Sequence, residues 1–278
     1  MKKAASIIGI LALASAAYSQ DGNFPLNSIT NPSLSNLKVS AAVGFESEYV
    51  FRAEKLAGLS IQPKVELGYN IAGFDAYAGA WMNSPLEKQR NSAGDLVNLE
   101  EVDLYAGMSY SYGSFTVDLG YTYYWYPSDN DGATRDSEVY AGIMMDTASY
   151  LGLNLNPSVY YFYNFQLEQH TIEASLGYEL QLGSYVGLPK LTLPLRAYFG
   201  YLTADRRNGD QDYGSPDLKG SYMYYGGSAD IAYAITDYCT ISAGVRYSQR
   251  FEESGDAGAI SDRGERKFWY GAKVDFGF

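Results

Sequence analysis

Few side chains in this sequence are equipped for covalent chemistry. His170 is the single histidine. A base must lie within hydrogen-bond reach of its nucleophile, and a His-x-Ser pair would need a serine where His170-Thr171-Ile172 places isoleucine. No enzyme is expected. Cys239 is the single cysteine and excludes an internal disulfide; beside Ile241 on an apolar row, it reads as buried in core or lipid. One spacing looks like a metal site. Asp129, Asp131 and Glu138 fall at calcium-ligand intervals around Gly132. Pro127 occupies the first ligand position and no helix flanks the run. A solvated acidic loop is the expectation there, with no metal and no cofactor.

The other available chemistry is electrostatic. Arg52, Lys64, Arg196, Arg246, Arg250, Lys267 and Lys273 alternate with apolar residues, as do Glu46, Glu48, Glu66, Asp75, Glu101, Asp103, Asp118, Glu173, Glu179, Asp230 and Asp275. Charges on every second residue fall on one face of a β-strand. Lined up across strands, they make rings of the kind that set ion preference in a pore. Arg196, Arg246 and Arg250 would form a basic ladder, with Glu46, Glu48, Glu101 and Asp103 as the acidic one facing it. Trp81, Tyr77, Tyr105, Tyr124 and Tyr198 could stack a flat polar solute between them, or simply fill volume.

The elements that must hold these rows are strands with two unlike faces. Residues 265–278, ERKFWYGAKVDFGF, show it best: Phe268, Tyr270, Ala272, Val274, Phe276 and Phe278 make one row, and Lys267, Trp269, Gly271, Lys273, Asp275 and Gly277 the other. From Leu37 onward the pattern recurs in about twelve segments of outer-membrane strand length. Val65, Leu67 and Tyr69 oppose Lys64 and Glu66; Leu104 and Ala106 oppose Asp103; Leu119 opposes Asp118; Ile231 opposes Asp230; Val245 opposes Arg246. The first outer row reads as Val39, Ala41, Val43, Phe45, Tyr49 and Phe51, interrupted by Ser47. The seventh reads as Leu151, Leu153, Leu155, Val159, Tyr161 and Tyr163, opposed by Asn154, Asn156 and Asn164. Pro63 on an outer row predicts a bulge.

The apolar rows carry no charge, and aromatic residues cap their ends as two interfacial girdles would. Only a closed sheet can sit in lipid, because an open edge leaves backbone groups unpaired in hydrocarbon. The expected fold is all-β: a transmembrane antiparallel up-and-down barrel over residues 37–278. Short connections at 70–73, 111–114, 146–150, 183–190 and 235–238 alternate with long, mostly acidic ones at 85–98, 127–137, 206–219 and 251–264. Short turns belong to the periplasm, which places both termini there.

Composition and the leading residues fit that reading. Tyr 28 and Gly 29 are high against Lys+Arg 20, and tyrosine suits membrane–water interfaces. Residues 1–19 combine Lys2 and Lys3, a short apolar run and the small-x-small site Ala17-Tyr18-Ser19, a secretory signal. Its removal takes the formal charge from −12 to −14. Residues 20–36 are a polar, irregular periplasmic leader. The acidic balance excludes nucleic acid as a partner; the expected partners are outer-membrane lipid and lipopolysaccharide, and ions or a small polar solute.

Two resemblances follow. Val274, Phe276 and Phe278 resemble the C-terminal signal read by the bacterial outer-membrane barrel assembly machinery. Residues 40–145 resemble the TorF-like porin family, through Ser47-Glu48-Tyr49-Val50-Phe51-Arg52, Gly73-Phe74-Asp75-Ala76-Tyr77-Ala78-Gly79-Ala80-Trp81, Glu101-Val102-Asp103-Leu104-Tyr105-Ala106-Gly107, the run GYTYYWYP at 120–127, and Ser137-Glu138-Val139-Tyr140-Ala141-Gly142. Family members usually show Arg-Gly where this chain has Arg52-Ala53, so the first hairpin is expected to turn differently. The resemblance implies a barrel and the label porin, with no known substrate.

Two functions remain open. One is passive diffusion of ions or small polar solutes through a lumen lined by Glu46, Glu48, Arg52, Lys64, Trp81, Glu101, Asp103, Asp118, Arg196, Asp230, Arg246, Arg250 and Lys273. The other is a non-conducting barrel, its charges paired across the lumen, serving as a surface, adhesion or structural protein through acidic loops.

Overall fold

A computed structural model describes residues 37–90, 96–97, 100–127, 135–206, 218–255 and 266–278. The signal and leader, and Asp129 and Asp131 of the calcium-like run, lie outside these residues. In chain order the first strands are β1 (Leu37–Glu46), β2 (Tyr49–Phe51), β3 (Glu54–Ala57), β4 (Ser60–Ile71), β5 (Phe74–Pro85), β6 (Gln89–Arg90), β7 (Leu96–Val97) and β8 (Glu101–Tyr112). They continue as β9 (Phe115–Trp125), β10 (Arg135–Met145), β11 (Ser158–Asn164), β12 (Gln169–Leu180), β13 (Leu191–Arg206), β14 (Leu218–Ala234), β15 (Cys239–Gly255) and β16 (Arg266–Gly277). Two one-turn helices, α1 (Ala148–Leu151) and α2 (Gly183–Val186), sit in connections. No helix among the described residues is long and apolar enough to cross a membrane.

Twelve strands close one antiparallel barrel, and β2–β3 and β6–β7 form separate two-stranded hairpins. Closure joins β16 to β1, from Ser40 opposite Gly277 to Glu46 opposite Gly271. Phe278 then exchanges two backbone hydrogen bonds with Val39, at 2.8 and 3.1 Å, so the last residue finishes the seam. The outer face is apolar: Val65, Leu104, Leu119, Ile172, Leu176 and Ile231 are exposed. Tyr69, Phe74, Tyr110, Phe115 and Tyr238 ring the end that carries β1's start and β16's finish. Tyr121, Trp125, Tyr161, Tyr201 and Tyr270 are exposed toward the other end. Charge is turned inward, as the alternating rows require.

The inner wall is keyed by tyrosine and glycine. Tyr77 stands opposite Gly107, and Gly79 opposite Tyr105. On the far side Tyr198 faces Gly226, and Gly200 faces Tyr224. Each ring lies over its glycine so closely that a Cβ on Gly107 or Gly200 would run into Tyr77 or Tyr224. The sequence signal is the repeated Tyr-x-Gly of Tyr77-Ala78-Gly79 and Tyr105-Ala106-Gly107. Spacing two keeps both residues on one face, but only the antiparallel register shows that they interlock.

Three expectations are corrected. Tyr49 and Phe51 do not extend the first outer row: β1 ends at Glu46, and Tyr49 is buried in the β2–β3 hairpin. Glu48 and Arg52 therefore reach the interior from a hairpin and not from a wall strand. The seventh wall strand starts only at Ser158, because the connection before it is longer than 146–150 and holds α1. Leu151 and Leu153 are exposed there, and Asn154 supports the connection, accepting from the Thr147 amide. Pro63 makes no bulge. It sits opposite Val43 on β1, and pairing with β5 skips the proline, then resumes in the same register from Ile61–Ser84 to Lys64–Trp81.

Candidate functional site

An up-and-down barrel needs residues 47–59 only to join β1 to β4 across the rim. Instead they fold into the lumen as the β2–β3 hairpin. The Ser47 amide is held by the Tyr270 carbonyl at 2.9 Å, and the Leu59 carbonyl accepts from the Leu86 amide at 2.7 Å. Lys55 and Glu48 clip the two arms together at 2.6 Å. The tip is a two-residue turn in which Arg52 and Ala53 both have positive φ, 47° and 63°. Such a turn normally takes glycine or asparagine. Arg52 and Ala53 hold this turn with two side chain-bearing residues and no glycine.

Side chains of the opposite wall hold that tip. Arg52 donates through Nη1 and Nη2 to the two Glu138 oxygens, both at 2.9 Å. Nη1 also reaches Gln169 Oε1 at 3.4 Å. The guanidinium carbon lies 4.6 Å from the Phe51 ring centre and 4.8 Å from that of Phe162. The Tyr222 hydroxyl donates to the Arg52 carbonyl at 3.1 Å. Ala53 packs with Tyr198, Leu202, Tyr222 and Tyr224. On the near side Tyr49 meets Trp81 at 5.3 Å between ring centres, within a cluster that includes Tyr77, Tyr105 and Ala57. The hairpin thus leaves the wall between β1 and β4 and touches side chains of β5, β10, β11, β12, β13 and β14.

Glu138, read from sequence as a calcium-loop residue, is the anchor of this contact. It is 1% exposed and also accepts from the Tyr124 hydroxyl at 3.2 Å. Among the described residues no group of His, Cys, Asp and Glu is arranged to hold a metal ion. Glu101, Asp103 and Asp136 are buried in the same upper part of the lumen. Tyr126, in the connection after β9, has its hydroxyl pushed well above the ordinary range by burial and then by Glu101, Asp136, Asp103 and Glu138.

The remaining charges are distributed in smaller groups. Arg246 sits between Asp230 at 2.7 Å and Glu46 at 3.3 Å. Arg196 binds Glu173 at 3.0 Å and lies 5.1 Å from the Tyr198 ring centre. Tyr224 donates to the other Glu173 oxygen at 2.8 Å. Arg250 lies over Tyr222 at 5.0 Å. Asp118 accepts from Tyr77 at 2.8 Å and Tyr160 at 3.2 Å. Lys64 faces Glu66 at 3.5 Å, and Lys273 faces Asp275 at 3.2 Å. Arg196 and Arg246 lie in one inner row on either side of Ser228, but basic and acidic groups are not segregated, because each arginine faces its own carboxylates. Among the wall charges, exposure rises toward the end carrying the termini, from 5% at Arg246 to 16% at Lys273 and 28% at Lys38, while Lys55 and Glu48 of the hairpin are also 28% exposed. The lumen is a vestibule at one end and a packed, hairpin-filled belt at the other. His170 lies on the outer face, exposed, with Nδ1 2.6 Å from the Tyr161 hydroxyl. At the seam, Phe278 stacks on Tyr238 with ring centres 6.1 Å apart.

Residues 31–260 match a protein family described as "Bacterial protein of unknown function (Gcw_chp)", and the chain belongs to that family. The porin label of the TorF-like resemblance is not part of that description. No curated protein matches the sequence. Among solved structures it is similar to LpxR from Salmonella typhimurium, with 10% identity over 86% of this chain and 99% of that one and a TM-score of 0.48. It is also similar to the NanC porin, with 12% identity over 86% and 98% and a TM-score of 0.45. The KdgM porin gives 9% identity over 87% and 99% and a TM-score of 0.44. Its own architecture places the protein: a closed sheet with an apolar, aromatic-rimmed exterior and inward charge is a bacterial outer-membrane β-barrel.

Proposed function

We propose that this Gcw_chp-family barrel is a porin-like channel for ions or small polar solutes, narrowed by the inward β2–β3 hairpin. The observation that carries it is the hairpin itself. A barrel needs no such element to close its wall, yet this one is held across the lumen by a buried guanidinium–carboxylate pair. The charged vestibule below it supports the same reading, since Lys38, Asp75, Lys273 and Asp275 keep contact with water there. In this reading the vestibule, with both termini and the short turns, faces the periplasm. The hairpin lies toward the outside, and Val274, Phe276 and Phe278 present the assembly signal.

The pairing of Arg196 and Arg246 with carboxylates favours a second reading, a barrel that does not conduct and acts through its loops. Single-channel recording of refolded protein in a planar bilayer under a salt gradient separates the two. Discrete steps that grow when residues 49–57 are replaced by a short Gly-Ser linker support the channel. Silence from both proteins, each shown folded by heat-dependent gel mobility, sinks it.

A further inference from the structure

The contact at Arg52 is more than a latch. Glu138 meets the guanidinium edge-on through two parallel hydrogen bonds, Gln169 offers a third acceptor, and Phe162 covers one face. Carboxylate fork, aromatic face and burial together are the recognition set for a planar guanidinium, and a compact ammonium matches it less well. The wall around it holds more buried carboxyl groups than the one that Arg52 occupies. Asp103 and Asp136 are buried nearby, and the Asp103 Oδ1 atom is buried without a hydrogen-bond partner. The occupant, meanwhile, is presented on a turn whose two central residues both adopt the left-handed conformation, which costs a side chain-bearing residue stability.

We propose that the Glu138–Gln169–Phe162 face is a binding site for small guanidinium-bearing solutes, with Arg52 as its tethered occupant. A free solute of this class competes with Arg52 and frees the hairpin from the wall. The binding claim stands on the contact geometry; only its effect on permeation rests on the channel reading above.

The test uses methylguanidinium chloride as probe, with tetramethylammonium chloride at the same ionic strength as control, on full-length refolded protein. Arg52→Ala empties the site. Calorimetry should show saturable methylguanidinium binding to this variant, weaker by roughly tenfold or more in wild type, where Arg52 competes, and in Arg52→Ala/Glu138→Gln, where the fork is gone. Methylguanidinium should also raise the heat-modification midpoint of Arg52→Ala. No saturable binding to folded Arg52→Ala, or equal binding to the double variant or of tetramethylammonium, overturns the proposal. Should Arg52→Ala fail to refold, Arg52→Lys keeps the charge without the fork; methylguanidinium must then bind it more tightly than wild type, and equal binding overturns the site. Binding without conductance would keep the site and remove the channel reading. Conductance without binding would do the reverse.

Discussion

The β2–β3 hairpin and the closing strand β16 both carry aromatic residues beside charged ones, yet one lies in the lumen and the other in the wall. In β16 every second residue, from Phe268 to Phe278, faces out, because strands on both sides fix its pleat: β15 from Gln249 to Cys239, and β1 from Glu46 to Ser40. The hairpin has no such neighbours. β2 and β3 pair only with each other, so their side chains are sorted by what they meet in the lumen: Trp81 for Tyr49, Glu138 for Arg52. Alternation therefore reports a strand's period, and its neighbours decide which face is which.

Hairpin and wall should part most clearly at Arg52. Arg52→Ala leaves Glu138 buried without its cation, a loss of about 3–5 kcal/mol for a pair of this kind. We expect it to fall on the hairpin and leave the barrel standing. Backbone amides of residues 49–57 should lose hydrogen-exchange protection while those of β16 keep theirs; equal loss in both would show that the hairpin is part of the wall's cooperative unit. The counterpart in the wall is Ala272→Arg. This exposed position sits between Phe45 and Ala243, where a charge facing mid-bilayer lipid costs roughly 2–4 kcal/mol. Urea unfolding in liposomes should show that loss, and an unchanged midpoint would mean the face does not meet hydrocarbon. Gly107→Ala probes the keyed inner wall. The new methyl meets the Tyr77 ring, and overpacking should cost about 1–3 kcal/mol in the same unfolding assay. The smallest effect belongs to Ala53→Gly. Glycine relieves the left-handed backbone at about 1 kcal/mol, but removes a methyl packed on Tyr222 and Tyr224 that is worth about 0.8 kcal/mol. The heat-modification midpoint should hardly move; a large drop would show that the methyl, and not Arg52, anchors the tip.

Much of the wall was legible because membrane burial imposes a strict code. Charges such as Glu66, Asp118, Asp230 and Arg246 occupy one row and large apolar residues the other, and the structure turns those charged rows inward. The hairpin was not legible by the same rule. Its residues continue the alternation of β1 past the rim, and the break at Ser47 was the single warning, since Ser47 is where the chain leaves the wall, its amide bound to Tyr270. Ion pairing was hidden for a different reason. Arg246 with Glu46, and Arg52 with Glu138, join residues distant in sequence, and no spacing rule reaches that far. The length of the 146–157 connection was concealed by Leu151, Leu153 and Leu155, which keep a strand-like period outside the sheet.

The tyrosine–glycine keys also determine the bore. Sliding β5 against β8 by two residues would preserve every inside–outside assignment, so the apolar pattern alone cannot forbid it. Moved one way, Tyr77 would stand opposite Tyr105; moved the other, Gly79 would stand opposite Gly107. Bulk would collide in the first case and leave a gap in the second. β13 and β14 carry the same arrangement at Tyr198–Gly226 and Gly200–Tyr224. Stagger between strands sets the tilt and circumference of a closed sheet. The barrel's calibre is thus encoded less by its greasy exterior than by matched teeth and notches along its inner circumference.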